Sequence, residues 1–254
     1  MKVEINDIKG FIKTLEAVSP MVISDEFYIV FSPDKFAVNL VNAYRTGLVN
    51  LNIDSKYFEG YEVEEKYIIP LPYPDFVKQL KMYEDFKLMR MEYDPENNRI
   101  NFYASEKKKR KRSHIQTIEI GDPYQEPQDI KVTYTTMFSI NSGEFDKALK
   151  ECESFDKQWV DFKITDTEFV VKSEADTKSG GTETAWSLVE DVKALMSTNL
   201  DIAFTTEILT EITSKIKGIS ESIMLSLGDY IPIKLSATFK FGSLIYYVVP
   251  NDPR

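Results

Sequence analysis

The sequence predicts an α+β fold built from two copies of one antiparallel unit, and three observations carry that expectation. A motif recurs at about half the chain length, most segments alternate apolar and polar residues around turns, and only four short stretches have helical periodicity. The copies match residue by residue. "VEINDIKGFIKTLEAV" opens the chain and "FSINSGEFDKALKECESF" returns about 134 residues later, setting Phe145 over Phe11 and Leu149 over Leu15.

In the first copy, Ile8, Phe11, Ile12 and Leu15 form an apolar helical stripe, with Lys9 and Lys13 together on another side. "FYIVFSPDKFAVNLV" alternates about a central turn and predicts a hairpin. "PYPDFVKQLKMYEDF" predicts the second helix, with Phe76, Val77 and Leu80 inward and Lys78 and Lys81 outward. "LMRMEYDPENNRINFYAS" then alternates again. Residues 119–132, "EIGDPYQEPQDIKV", are polar, hold Pro123 and Pro127 and follow neither period, so they predict an extended linker. The expected organisation is one domain over 1–118, a connecting loop over 119–132 and a second domain over 133–254.

In the second copy, Phe145, Ala148 and Leu149 face inward against Lys147 and Lys150. "WVDFKITDTEFVVKS" is the matching hairpin, with Phe169 at the place of Phe36. "TTEILTEITSKIKGI" predicts the fourth helix, Ile208, Leu209, Ile212 and Ile216 inside and Lys215 and Lys217 near its end, on a face that Glu207 and Glu211 make less basic. "IMLSLGDYIPIKLSATF" closes the pattern with strands.

Composition narrows function by exclusion. Apolar residues make up 43% of the 254 and charged residues 28%, which are globular values. Apolar runs are too short to span a membrane, and "MKVEINDIKG" has no hydrophobic leader. One cysteine, Cys152, rules out an intramolecular disulfide framework, so the expectation is a soluble intracellular protein. With one histidine, His114, and one thiol, a Cys/His zinc site cannot be assembled within the chain. Neither G-x-x-x-x-G-K-[ST] nor G-x-G-x-x-G occurs, and no nucleophile elbow accompanies His114. Asp and Glu number 41, so a magnesium-dependent acid cluster acting on nucleic acid stays open as a reading of another class. No cofactor is expected.

Two charge features stand out in a chain of net charge −10. Residues 107–112 are "KKKRKR", six consecutive cations, and without their +6 the remainder stands near −16. Paired lysines also return on all four helices. On one helix such a pair is the ordinary solvated side, and Lys215 and Lys217 also complement the helix dipole. Their recurrence points to a shared basic surface able to follow a phosphate backbone without reading bases.

"SGEFDKALKECESF" at 142–155, "LGDYIPIKLSATFKFGSLIYYVVP" at 227–250 and "SKYFEGYEVEEKYIIPL" at 55–71 resemble the sliding clamps of the archaeal and eukaryotic PCNA type. The likeness is spread over nearly the whole chain. It implies a ring of three two-domain subunits, with antiparallel sheets outside and four helices on the inner face around duplex DNA. It implies partners as well: sequence-independent duplex DNA, a DNA polymerase, a clamp loader, a flap endonuclease and a ligase, the enzymes docking through short aromatic motifs. The compartment implied is intracellular, cytoplasmic in an archaeon and nuclear in a eukaryote.

By position, Lys13, Lys78, Lys81, Lys147, Lys150 and Lys215 match the family's basic inner surface, joined by Lys9 and Lys217 from the helix faces. The partner-peptide pocket maps to Val41, Leu48, Tyr124, Ile130, Pro232, Tyr247 and Pro250, with Tyr247 and Pro250 expected to be the most exposed. Ring closure maps to edge strands at 113–120 and 180–188, with Ile115, Ile118, Thr184, Trp186 and Leu188 as contact residues, all of which core packing would equally explain. The basic run is expected in the loop before the first edge strand, where Lys109 and Arg110 would add nonspecific phosphate attraction. A nuclear-import signal has the same composition.

The chain departs from the family's pattern twice. "VNAYRTG" keeps only Arg45 of an acidic-proline-basic turn, and the tail reads Val248-Val249-Pro250-Asn251 where Leu-Ala-Pro-Lys is usual. Both departures flank the mapped pocket and suit one subunit of a heterotrimer, or a diverged viral or secondary clamp. A checkpoint-type clamp and an acidic interaction module remain alternative readings.

Overall fold

The computed structural model describes residues 1–22, 25–107, 109–119, 124, 126, 130–156, 158–174, 180–189, 194–196 and 199–251. In chain order the elements of the first half are β1 (Lys2–Ile5), α1 (Ile8–Glu16), β2 (Glu26–Ser32), β3 (Lys35–Val41), β4 (Gly47–Asp54), β5 (Gly60–Glu62), β6 (Tyr67–Pro72), α2 (Tyr73–Lys81), β7 (Met89–Asp94), β8 (Arg99–Glu106) and β9 (Lys109–Gln116). Those of the second half are β10 (Thr136–Asn141), α3 (Ser142–Phe155), β11 (Val160–Ile164), β12 (Glu168–Glu174), β13 (Gly181–Ser187), β14 (Ala194–Met196), β15 (Leu200–Phe204), α4 (Thr206–Ile216), β16 (Ser222–Leu227), β17 (Ile233–Phe239) and β18 (Gly242–Val248). Two compact units result: Met1–Arg45 with Val49–Gln128 and Lys240–Ser243, and Thr46–Leu48 with Asp129–Phe239 and Leu244–Arg254.

In unit 1, β5-β1-β7-β8-β9 form one antiparallel sheet, and β6, β2, β3 and β4 run side by side in another. Helix α1 starts where Asp7 caps it, its Oδ1 accepting from the Gly10 amide at 3.0 Å. Its stripe Ile8, Phe11, Ile12 and Leu15 is buried. Phe11 meets Phe36 of β3 edge-on at 5.3 Å, and Phe76 of α2 meets Phe27 at 5.8 Å and Phe102 at 6.1 Å. Each such ring contributes about 1.5–3 kcal/mol by leaving water.

Unit 2 repeats the plan. Its sheets are β13-β12-β11-β15 and the run β14-β10-β16-β17-β18. Asn141 caps α3, accepting from the amides of Gly143 at 2.9 Å and Glu144 at 3.0 Å. Phe145 lies 6.2 Å from Phe169 and 5.9 Å from Phe162, so the Phe11–Phe36 contact recurs at the spacing read from the sequence. Cys152 is buried on α3, and that burial pushes its thiol up to about 12, which leaves it inert.

Two boundaries differ from expectation. The basic run is not a loop, because β9 already begins at Lys109, pairing Glu106 with Lys109 and Tyr103 with Arg112. The first edge strand therefore spans Lys109–Gln116 rather than 113–120, and Ile118 lies beyond it, its amide donating to the Pro70 carbonyl at 3.2 Å. Most of the expected linker at 119–132 lies outside the described residues, as does Lys108 of the run.

Candidate nucleic-acid interface

An amphipathic helix that buries one stripe leaves its charged side chains on the other, and each unit does this with a pair of helices. In unit 1, Lys9, Lys13, Lys78 and Lys81 are all exposed. Lys81 pairs with Glu16 at 2.5 Å and Lys9 stands 4.0 Å from Asp85. Among the described residues, no carboxylate comes within ion-pair distance of Lys13 or Lys78. Besides the Lys81–Glu16 pair, the two helices share a buried, uncharged bond, the Tyr73 hydroxyl donating to the Leu15 carbonyl at 3.2 Å.

In unit 2, Lys147, Lys150, Lys215 and Lys217 are exposed too, but their surroundings differ. Between α3 and the end of α4 sits Asp146, its side chain 3% exposed. Its Oδ2 accepts from Lys150 Nζ at 3.0 Å and from Lys217 Nζ, while Oδ1 accepts from Ser214 Oγ at 2.7 Å and Thr213 Oγ1 at 3.4 Å. Burial works to raise this carboxyl, but the bonds from Lys217, Ser214 and Lys150 outweigh it and hold it below the ordinary carboxylate value. Lys147 lies 3.9 Å from Glu151. Desolvation, then the neighbouring Glu207 and Glu153, pushes the Glu211 carboxyl up. Asp146 escaped the sequence reading, since an Asp four residues before a Lys looks like a solvated surface pair.

Strand alternation divides the basic run between the two faces of its sheet. Lys109 and Lys111 turn toward the segment that follows α2: Lys109 Nζ lies 4.8 Å from the Phe86 ring and Lys111 Nζ lies 5.3 Å from the Tyr83 ring, donating to the Met82 carbonyl at 2.7 Å. Arg112 takes the other face, where it and Arg90 flank the Tyr103 ring at 5.9 and 4.8 Å. Arg110 shares a shallow basin there with Arg90 and Arg112.

β9 ends the five-stranded sheet and β13 ends the four-stranded one, so each exposes an unpaired backbone edge within its unit. Several of the side chains assigned to ring contacts take the core position that the sequence left open. Ile115, Trp186 and Leu188 are buried within their own units, Trp186 stacked on Phe169 at 5.6 Å and 6.5 Å from Phe145. Thr184 is half-buried, and Val189, just past β13, is 77% exposed.

The mapped pocket residues divide between the units. In unit 1, Val41 is 53% exposed, and Tyr124 is held by Asn39 Nδ2, which donates to its hydroxyl at 3.2 Å, by the Tyr28 ring at 5.3 Å and by Lys66 over its own ring at 5.8 Å. Lys66 also pairs with Glu126, so two points of the connector fasten onto one cation. In unit 2, Ile130, Pro232 and Pro250 are half-buried. Leu48 and Tyr247 are buried, which corrects the exposed position expected for Tyr247: it lies on β18 and faces inward. The exposed aromatics Tyr44 and Tyr230 were missed, since lone tyrosines in turns carry no periodic signal.

Among the described residues no group of three or more His, Cys, Asp or Glu could hold a metal ion, and no helix is long and apolar enough to cross a membrane.

No family model matches the chain. DNA polymerase sliding clamp 1 of Pyrobaculum aerophilum is 25% identical over 253 residues, covering 96% of each chain. Sliding clamp 2 of the same organism is 20% identical over 235 residues, covering 89% of this chain and 90% of its own. The crystal structure of proliferating cellular nuclear antigen from Entamoeba histolytica superposes with a TM-score of 0.87 at 14% identity, covering 99% of this chain and 98% of the other. The PCNA2–PCNA3 complex of Sulfolobus tokodaii gives 0.81 at 19% identity, covering 99% of both chains. Likeness over about nine-tenths or more of the chain to both sliding-clamp sequences accompanies the repeated unit and its lysine-faced helix pairs, and it supports a clamp similar to those of the PCNA type.

Proposed function

We propose that the chain is a subunit of a DNA sliding clamp, a processivity factor that encircles duplex DNA and tethers replication and repair enzymes to it. The observation that carries this reading is the return of solvent-facing lysines on the polar side of all four helices in a chain of net charge −10. Set along a ring's inner face, lysines such as Lys13, Lys78 and Lys215 would meet phosphates one at a time, with no base contact to halt movement. The acidic remainder would repel DNA elsewhere. Tethering raises the effective concentration of a bound enzyme at its template, which is the whole catalytic contribution of such a protein.

Ring closure is assigned to the free edges of β9 and β13 in neighbouring subunits, with identical or related copies completing a trimer. A polymerase, a clamp loader, a flap endonuclease and a ligase are the expected clients. Their short aromatic motifs are assigned to the positions the resemblance maps for the partner pocket: Val41 in unit 1, and Ile130, Pro232 and Pro250 in unit 2.

The test compares linear duplexes with open ends and with ends blocked by a bulky protein, after absolute mass by light scattering has identified the assembled species. A clamp threads from an end, so salt-resistant association should require an open end. Equal association with blocked duplexes would mean ordinary surface binding and would sink encirclement.

A further inference from the structure

The strongest unassigned feature is the buried carboxylate of Asp146, placed in the middle of a lysine face. We propose that Asp146 is a positioning residue that sets how firmly the clamp holds DNA, by keeping Lys150 and Lys217 partly compensated from inside the subunit. This inference rests on the sliding-clamp reading above.

Three observations support it. Both ammonium groups converge on the same oxygen, Oδ2, while Oδ1 is satisfied separately by Ser214 and Thr213. Second, the two lysines are only half-withdrawn: their side chains are 46% and 40% exposed, so a phosphate can still reach them. Third, holding α3 to α4 does not call for a buried charge. Unit 1 ties its helices with a tyrosine hydroxyl on a backbone carbonyl and with the solvent-exposed Lys81–Glu16 pair, whose carboxylate is 31% exposed. A buried carboxylate costs desolvation that a neutral tie avoids, and packing alone gives no reason for it. A lysine shared with an internal carboxylate must weaken that bond to take a phosphate. Each such contact is therefore weak and brief, as movement along DNA requires.

The experiment measures binding to a short linear duplex by fluorescence anisotropy across a sodium chloride titration. Each phosphate contact adds about 0.9 to the slope of log K against log salt. Asp146→Asn keeps the side chain's size and an acceptor for Ser214 while removing the charge. It should steepen the slope by between about one and two, and tighten binding at low salt. Lys150→Ala should change the slope little in the native background and by about 0.9 beside Asp146→Asn. A merely structural Asp146 predicts an unchanged or shallower slope for Asp146→Asn, and that result overturns the proposal. Should Asp146→Asn fail to fold, Lys150→Ala/Lys217→Ala decides: a loss of about two from the native slope refutes it, and a small loss supports it. Native protein that shows no duplex association would sink the clamp reading itself. Association with strictly additive variants would remove only this inference.

Discussion

The helix pair of unit 1 and that of unit 2 come from one repeat, yet they are held together by different chemistry. In unit 1, α1 and α2 are joined by the Tyr73 hydroxyl on a main-chain carbonyl and by the exposed Lys81–Glu16 pair, which leaves Lys13 and Lys78 free of carboxylates among the described residues. In unit 2 the α3–α4 bond runs through Asp146 and occupies Lys150 and Lys217. The balance of charge follows the same division. Helices α1 and α2 carry four lysines against Glu16 and Asp75, whereas α3 and α4 carry three against Glu144, Asp146, Glu151, Glu153, Glu207 and Glu211. A lysine counted from sequence is thus not yet a phosphate contact: what matters is whether its charge is already spent inside the subunit.

The most direct way to break this comparison is to remove matched lysine pairs. Lys13→Ala/Lys78→Ala should lower the salt slope of duplex binding by about two, since both charges are available. Lys147→Ala/Lys150→Ala should lower it by well under that, because Glu151 and Asp146 already compensate them. Equal losses from the two pairs, in the same anisotropy titration, would show that internal ion pairing does not separate the units.

The ties themselves should differ in their response to pH. The Asp146 carboxyl lies below its ordinary 3.8 in the folded chain. Its contribution is therefore fully present above that value and is lost as pH falls through the folded one. Asp146→Asn should cost about 1–2 kcal/mol near neutral pH, and the gap to the native protein should close under acid conditions, followed by chemical denaturation. The unit 1 tie should behave otherwise. Burial, then Glu16, pushes the Tyr73 hydroxyl up to about 12, so it stays neutral throughout that range. Tyr73→Phe should cost about 1 kcal/mol at acid and neutral pH alike and leave the salt slope unchanged. A pH-dependent cost for Tyr73→Phe would mean that its hydroxyl is coupled to Glu16 more strongly than its bond to Leu15 implies.

The same contrast separates what was legible in the sequence from what was not. The repeat was legible because Phe11, Phe36, Phe145 and Phe169 are core residues at one spacing, and core periodicity is written locally. Strand β9 was not: "KRKR" has no apolar alternation, and only its pairing with β8 makes it a strand. Trp186 sits on an edge strand, with Leu188 just past its end, and both still face inward, because an edge lacks a neighbour on one side, not a core beneath it. Tyr247 was expected to be exposed since a continuous apolar run does not declare which face it buries. Asp146 was the hardest to foresee, as its burial depends on Ser214 and Lys217, which arrive from 68 and 71 residues further along the chain. The lysines of the candidate interface could be found from sequence, while their state of compensation could not.

The smallest expected effect sharpens the comparison from the acidic side. Glu207 and Glu211 stand four residues apart on α4, a like-charge spacing that costs a few tenths of a kcal/mol on a solvated helix. With Glu153 nearby, the folded chain raises the Glu211 carboxyl above its ordinary 4.5. A raised carboxyl contributes stability only below that ordinary value and loses it as pH rises through the folded one, so at neutral pH the ionised group is a net cost. Glu211→Gln should therefore stabilise the protein by about 0.5 kcal/mol near neutral pH and by nothing in acid, measured as a shift in denaturation midpoint. It should also steepen the salt slope by less than one, because Lys215 loses its nearest acidic neighbour on the helix. Stabilisation without any change in slope would mean that Lys215 already reaches its phosphate unaided. The acidity of unit 2 would then act through Asp146 rather than through the charge of α4 as a whole.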